Sequence, residues 1–239
     1  MKVTTKEVDI LYDFVAIANK MDVNTLVLTT EENLMLYCSY AGNVSALLTY
    51  IPAKYFSGTL GDDVFLIDNK ISKLLNTFQN TITIETDDTS IIISDESRVY
   101  KLPKLQYQEK NLPNLAGLQS IKFTDSYDIN TAELRLAFKK LYDVNYCRFD
   151  YNGVMRLYAI DEDNKNSNTI NIFDVKPQST EKLITSYYDI SFLDDVLTKV
   201  NSTRTLLKHN GQVLLLEFPY RDDVLIKYYV APMIPEGVQ

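Results

Sequence analysis

"IKYYVAPMIPE" (226–236) lies three residues from the last position of the sequence. "IKYYV" reads as a strand, because it is built of β-branched and aromatic residues. Two prolines then flank Met233 and Ile234 and hold the chain extended. Segments at chain ends are usually polar and frayed. Apolar residues held extended here imply a surface that they cover, or that covers them.

The rest of the chain supplies that surface. Its 239 residues are 46% hydrophobic and 23% charged, with seven glycines and seven prolines. This suits one large domain or two of about 120 residues, without a long linker. There is no run of about 18 apolar residues and no N-terminal signal pattern, so the chain reads as cytosolic or nuclear, with no membrane partner. Cys38 and Cys147 stand apart from any CxxC pattern or nearby histidine and read as buried, reduced thiols. The net charge of −8 taken alone argues against nucleic acid.

Helical apolar spacing occurs four times. The segments are Leu11/Phe14/Val15/Ala18, Ile71/Leu74/Leu75/Phe78, Leu134/Ala137/Phe138/Leu141 and Leu193/Val196/Leu197/Val200. The first pair starts 60 residues apart and the second pair 59, with offsets of 123 and 122 between the halves. That regularity predicts a duplicated unit. Between the helices the period falls to two. Strands are predicted at 25–30, 34–40, 44–51, 82–86, 90–94 and 98–102. In the second half they are predicted at 146–151, 154–160, 168–174, 183–189, 205–209, 213–218 and 224–230. Short turns such as "TEEN" and "HNG" join them and favour antiparallel sheets. The fold class is α+β, with two helices packed on antiparallel sheets in each domain. Residues 103–122, "PKLQYQEKNLPNLAGLQSIK", break both periods. They form a connector between domains at 1–102 and 123–239, and its leucines predict that it lies along a sheet.

A duplicated two-helix unit, a mid-chain connector and the terminal Lys227-Tyr228-Tyr229-Val230-Ala231-Pro232-Met233-Ile234 resemble the sliding clamps of the proliferating cell nuclear antigen (PCNA) family. "ISKLLNTF" (71–78) is similar to the family's second helix. "NVSALLTY" (43–50) is similar to the strand after its central loop. The resemblance implies a homotrimeric ring with helices lining a channel around duplex DNA. It implies a processivity factor for DNA polymerase, placed on DNA by a clamp loader. Other replication and repair enzymes would be tethered through short peptides. The setting would be the nucleoid, or the nucleus of a eukaryote.

The four helical windows, 6–21, 68–80, 131–144 and 190–204, hold nine Lys or Arg and eight Asp or Glu. The rest of the chain is therefore the acidic part, and the polarisation is weak. By family position, Lys73, Lys139 and Lys199 face DNA, with Arg135 and Lys140 beside them and Lys20 and Arg204 at helix ends. Contact would be to phosphates and would not read sequence. Asn76, Tyr12 and Asp13 stand where the family is usually basic, so the expected attraction is weaker than in a typical clamp.

By the same match, the ring closes through Arg98, Val99, Tyr100 and Lys101 on one edge. The other edge is Thr169, Ile170, Asn171, Ile172 and Phe173. Partner peptides would dock on Tyr40, Val44, Leu112, Pro113, Tyr229, Ala231, Pro232 and Ile234. No catalytic residue, metal ligand or cofactor is expected. The only histidine, His209, sits in a hairpin context without a nucleophile motif, and "DEDNKNSN" (161–168) lacks the glycine and the glutamate of a calcium loop. Two alternatives stay open: a subunit of a heterotrimeric clamp, and a duplicated protein-interaction module that does not encircle DNA.

Overall fold

The computed structural model describes residues 1–239 except 41–43, 79, 106, 108–113, 124, 142–143, 152–154, 161–168, 174–183 and 234–239. The side chains of Asp125, Ile160 and Thr169–Phe173 also lie outside the description. The chain divides into two compact units. The first comprises Met1–Tyr40, Leu47–Leu115 and Tyr220–Ile226, and the second Ala41–Ala46, Ala116–Pro219 and Lys227–Gln239. The main division falls inside the expected connector. Short pieces on either side of it, including the tip of the last hairpin, belong to the other unit.

The first half of the chain runs β1 (Lys2–Thr5), α1 (Val8–Lys20), β2 (Thr25–Thr29), β3 (Asn33–Ser39) and β4 (Ser45–Pro52). It continues with β5 (Phe56–Thr59), β6 (Asp63–Ile67), α2 (Ser72–Leu75), β7 (Ile82–Thr86), β8 (Ser90–Ser94) and β9 (Val99–Pro103). One sheet has the order β5-β1-β7-β8-β9, and a second run has the order β4-β3-β2-β6. After α3 (Leu115–Ser120), the second half runs β10 (Asp125–Asn130), α4 (Thr131–Lys139), β11 (Tyr146–Tyr151), β12 (Met155–Ile160) and β13 (Thr169–Phe173). It ends with β14 (Ile184–Asp189), α5 (Ile190–Leu197), β15 (Arg204–His209), β16 (Leu214–Arg221) and β17 (Val224–Val230). Its sheets have the orders β13-β12-β11-β14 and β10-β15-β16-β17.

Setting aside β5 and α3, a strand, a helix and three strands occur four times rather than twice. The leading strand of each repeat leaves its own repeat and pairs antiparallel with the other repeat of the same half. β1 joins β7, β6 joins β2, β10 joins β15 and β14 joins β11. Three of these leading strands, β1, β6 and β10, and also β5, are missing from the sequence-based assignment. In β10, "DSYDIN", only Tyr127 and Ile129 are apolar, and both are buried. Two residues are too few to establish a period.

The helices are shorter than their windows. The 190–204 window becomes an eight-residue helix and a turn, and Arg204 opens β15 instead. α1 is buried along almost its whole length, leaving Asp9 and Lys20 exposed and Tyr12 and Asn19 half-buried. Asp13, expected on the channel surface, is fully buried and accepts a hydrogen bond from Tyr220 Oη. Next to it, Arg221 Nη2 lies 3.2 Å from Glu7 Oε2, which is also buried. The second unit has an aromatic core. Phe149 stacks on Tyr151 with centroids 5.9 Å apart and meets Tyr188 edge-on at 5.6 Å. His209 lies 3.4 Å from the Tyr151 ring centroid. Burial pushes the Tyr151 and Tyr188 hydroxyls up, so both stay neutral.

Both halves tie their last strand to a leading strand with a backbone link. Two residues past β9, Leu105 N–H donates to Leu66 O of β6 at 3.0 Å and Leu105 O accepts from Leu66 N–H at 3.4 Å. Three residues past β17, Met233 N–H donates to Tyr187 O of β14 at 2.9 Å. Each acceptor lies two positions before an aspartate, Asp68 or Asp189, that caps the next helical turn. Within the expected connector, Leu105 is thus bridged to β6, and α3 follows at Leu115–Ser120. Leu105→Pro removes the donor at 3.0 Å. It is expected to cost about 1 kcal/mol and to speed limited proteolysis within 103–122; unchanged melting and cleavage would mean that the link anchors nothing.

Candidate functional site

The surface open to a partner is what the helices, the free strand edges and the terminal segment leave uncovered. In the second unit Asn130 caps α4 by accepting from Ala132 N–H at 2.9 Å and Glu133 N–H at 3.3 Å. With the helix held there, Leu134, Ala137, Phe138 and, just beyond it, Leu141 are buried, as their spacing predicts. Lys139 and Lys140 are exposed beside them. Leu136 is 55% exposed on the same helix. α5 is capped by Asp189 and buries Leu193, Val196 and Leu197. Lys199 is half-buried in the turn that follows it.

Arg135 has a different task from the one expected of it. Its Nε donates to Leu197 O at 2.7 Å and its Nη2 to Val200 O at 2.8 Å. Leu197 is the last residue of α5 and Val200 lies three residues beyond it, where carbonyls lack intrahelical donors. The half-buried guanidinium supplies two, and its charge suits the negative end of the helix dipole. Arg135 is thus a tie between α4 and α5 rather than a surface cation. Arg204 is also displaced from the helix surface. On β15 it alternates with buried Thr205 and Leu207, so it stands on the sheet face away from the core. There it pairs with Asp128, whose hydrogen bond raises the guanidinium's pKa further. In the first unit Lys73 is exposed on α2, and Lys20 is exposed at the last residue of α1.

β9 and β13 each close the end of a sheet, with one strand neighbour among the described residues. Along β9, Val99, Lys101 and Pro103 are exposed, while Tyr100 and Leu102 are half-buried. Tyr100 meets Phe78 edge-on at 5.8 Å, and Arg98 Nη1 donates to Thr77 O in the turn after α2. Val99, at 72%, is the most exposed of the large apolar side chains among the described residues. β13 pairs with β12 through an irregularity between Leu157 and Tyr158. The side chains of Thr169, Ile170, Asn171, Ile172 and Phe173 lie outside the described residues.

Of the expected peptide groove, the second unit shows Val44, Tyr229, Ala231 and Pro232. Ala231 N–H donates to Val44 O at 2.8 Å, Tyr229 is buried, and Ala231, Pro232 and Met233 are half-buried. Tyr40, in the first unit, is 39% exposed after β3. Leu112, Pro113 and Ile234 lie outside the described residues. Sequence reasoning passed over Met233, although its place one residue beyond a proline without an N–H marks it as the next donor in an extended segment.

His209 is enclosed by Tyr151 and Tyr127 at 0% exposure, so its ring is out of reach of a substrate. Both cysteine thiols are buried and pushed far up by burial, which makes them poor nucleophiles. Among the described residues no group of His, Cys, Asp and Glu could hold a metal ion, and no helix is long and apolar enough to cross a membrane.

No protein-family model and no curated protein matches the sequence. Solved structures match in shape. A PCNA2–PCNA3 complex from Sulfolobus tokodaii superposes with a TM-score of 0.80 at 16% identity, over 97% of this chain and 99% of that one. PCNA from Thermococcus kodakaraensis superposes with a TM-score of 0.80 at 17% identity, over the same shares. The chain has the α+β clamp fold of PCNA.

If Arg135 is a tie, Arg135→Gln should lower the free energy of unfolding by about 2 kcal/mol, the scale of hydrogen bonds from a charged donor. Lys139→Gln should change it by less than about 0.5 kcal/mol, as an exposed substitution does. Urea denaturation of both variants checks this, and equal effects would return Arg135 to the surface set.

Proposed function

We propose that the chain is a sliding clamp: a ring of three copies that encircles duplex DNA and tethers a DNA polymerase and other replication and repair proteins. The reading rests on one observation, the likeness to PCNA over 97% of this chain. β9 with exposed Val99 is one ring-closing edge, and β13 is the other. Pairing them is heterologous and closes on itself after three copies. Lys139, Lys140 and Lys199 in the second unit, and Lys20 and Lys73 in the first, touch phosphates. Arg135 and Arg204 drop out of this set, which makes the attraction weaker still. Partner peptides dock beside Val44, Tyr229, Ala231 and Pro232 of the second unit. A clamp of this kind is a scaffold and carries out no reaction.

A heterotrimer is the second reading. It is favoured by the PCNA2–PCNA3 complex, in which two different chains of this fold associate. Sedimentation of the pure chain separates the two: the mass of three chains supports the homotrimer, and a monomer that associates only with a second gene product supports the heterotrimer.

Threading tests encirclement without a loader. The ring should thread onto linear duplex with free ends and be retained once streptavidin is bound at both ends, and it should fail to load when both ends are blocked beforehand. Equal binding to free and blocked ends would leave an interaction module that does not encircle DNA. Val99→Glu places a charge at an already exposed position, so it should leave folding intact, yield monomers and abolish retention on duplex whose ends are blocked after loading. A trimer that persisted at micromolar concentration would remove β9 from the interface.

A further inference from the structure

We propose that the outer face of the four-stranded sheet in the second unit binds single-stranded nucleic acid by stacking its bases, at a site separate from the lysines of the clamp reading. The sheet has the order β13-β12-β11-β14. Phe149 and Tyr151 of β11, Leu157 of β12 and Tyr188 of β14 are buried on its inner face. The residues between them stand on the other face, because side chains alternate along a strand. The registers align these into two rows across β14, β11 and β12. Tyr187, Arg148 and Tyr158 form the first, and Thr185, Asp150 and Arg156 the second.

The first row is built for stacking. Arg148 Cζ lies over the Tyr158 ring, 4.2 Å from its centroid. Asp150 holds the guanidinium there, with Oδ1 3.2 Å from Arg148 Nε, and Thr185 Oγ1 donates to the same carboxylate at 2.9 Å. Asp150 itself is buried. The Arg148 side chain keeps 26% of its surface open, and Tyr158 and Tyr187 are half-buried. Neighbouring strands lie about 4.8 Å apart. Ring, guanidinium and ring therefore follow one another at roughly the step of a partly unstacked strand, whose fully stacked rise is about 3.4 Å. Bases stack on aromatic rings and on guanidinium planes alike, and every base has a face to offer.

The second row supplies the charge. Asp150 is occupied by Arg148 and Thr185, and Asp189, further along β14, is occupied as the cap of α5. Arg156 has no ion-pair partner among the described residues and is half-buried beside the stacking row, where it can meet one phosphate. Neither row carries an aliphatic side chain on β14, β11 or β12. A docked peptide helix needs apolar anchors, whereas rings, guanidinium groups and a hydroxyl suit unpaired bases. Stacking rather than charge carries the affinity, which reconciles the site with a chain of net charge −8.

The probe is a fluorescently labelled oligothymidylate of about ten nucleotides, titrated against the full chain with anisotropy as the readout. Tyr158→Leu and Tyr187→Leu should each weaken binding about tenfold. Tyr158→Phe and Tyr187→Phe keep the rings and should bind as wild type, so loss in the leucine variants at unchanged melting temperature is loss of stacking. The logarithm of the affinity should fall with that of salt concentration with a slope of about −0.7, the value for one phosphate contact, and Arg156→Gln should flatten it. Tyr37→Leu, a half-buried tyrosine on β3, and Lys139→Gln/Lys140→Gln should bind as wild type. Loss in the lysine variant equal to that in the tyrosine variants would move the strand to the clamp's lysines and overturn the site. So would a wild-type chain that does not bind, or leucine variants that bind as well as wild type. A labelled peptide of alternating glutamate and tyrosine that binds where the oligonucleotide does not would give the face to a protein partner instead. A short single strand needs no ring, so failure here leaves the clamp reading untouched.

Discussion

The fold depends on the exchange of leading strands between repeats. β1 takes its ladder from β7 and gives its own repeat's place beside β2 to β6. β10 and β14 make the same trade with β15 and β11. A repeat standing alone would leave a strand's row of N–H and C=O groups without partners, a cost no small unit can carry. The repeats therefore come in pairs, and each pair shares one core. The exchange also makes the contacts non-local: Thr4 Oγ1 meets Thr83 Oγ1 across 79 positions. Folding of such a topology is expected to be slow relative to a helical bundle of equal length. Among the described residues β9 and β13, the last strands of the second and third repeats, have one strand neighbour each, as do the exchanged strands β6, β10 and β14.

Much of this architecture was legible in sequence, including the duplication into two α+β halves, though not the further repeat within each half. Apolar stripes such as Leu134/Ala137/Phe138/Leu141 identify helices because a helix must bury a face, and strands such as "SIIIS" and "VLIKYYV" are dense enough in β-branched and aromatic residues to be read directly. The leading strands are not. "KVTT" and "DSYDIN" carry one or two inward residues each, and their stability comes from a ladder to a partner dozens of positions away. Without them two repeats look like one, and the chain appears to be written twice instead of four times. Arg135 shows the same limit at a single side chain. A helical wheel gives its angle about α4, but not that the carbonyl end of α5 lies within hydrogen-bond reach.

The terminal "APMIP" gains its meaning from the duplication. Met233 relates to Tyr187 as Leu105 relates to Leu66. The segment after β17 is thus the counterpart of the start of the connector after β9. In the first half the chain continues from that link into α3; in the second the same link holds the segment that carries Pro232. Pro232 sits between two donors that are both used, Ala231 N–H on Val44 O and Met233 N–H on Tyr187 O. A residue without an N–H fits there because no acceptor faces it. The extended apolar segment is therefore held by its backbone, and the side chains of Ala231, Pro232 and Met233 stay half-buried.

Charge sets the last constraint on the clamp reading. The chain carries −8 overall, and its helices offer few cations to a duplex. α1 carries a single lysine, at its final residue. Arg135 is spent on α5, and Arg204 stands on a strand facing away from the core beside Asp128. What remains is Lys73 on α2, with Lys139, Lys140 and half-buried Lys199 in the second unit. A protein that gripped DNA by electrostatics alone would need a denser patch, because each phosphate contact is worth little at physiological salt. A closed ring does not need that grip: once topology prevents escape, affinity serves only to centre the duplex. Strong contacts would instead slow sliding. On this argument the acidic composition counts against an open, groove-type DNA binder and is compatible with a ring, so the weight of the function moves from the helix lysines to the edges that close the ring.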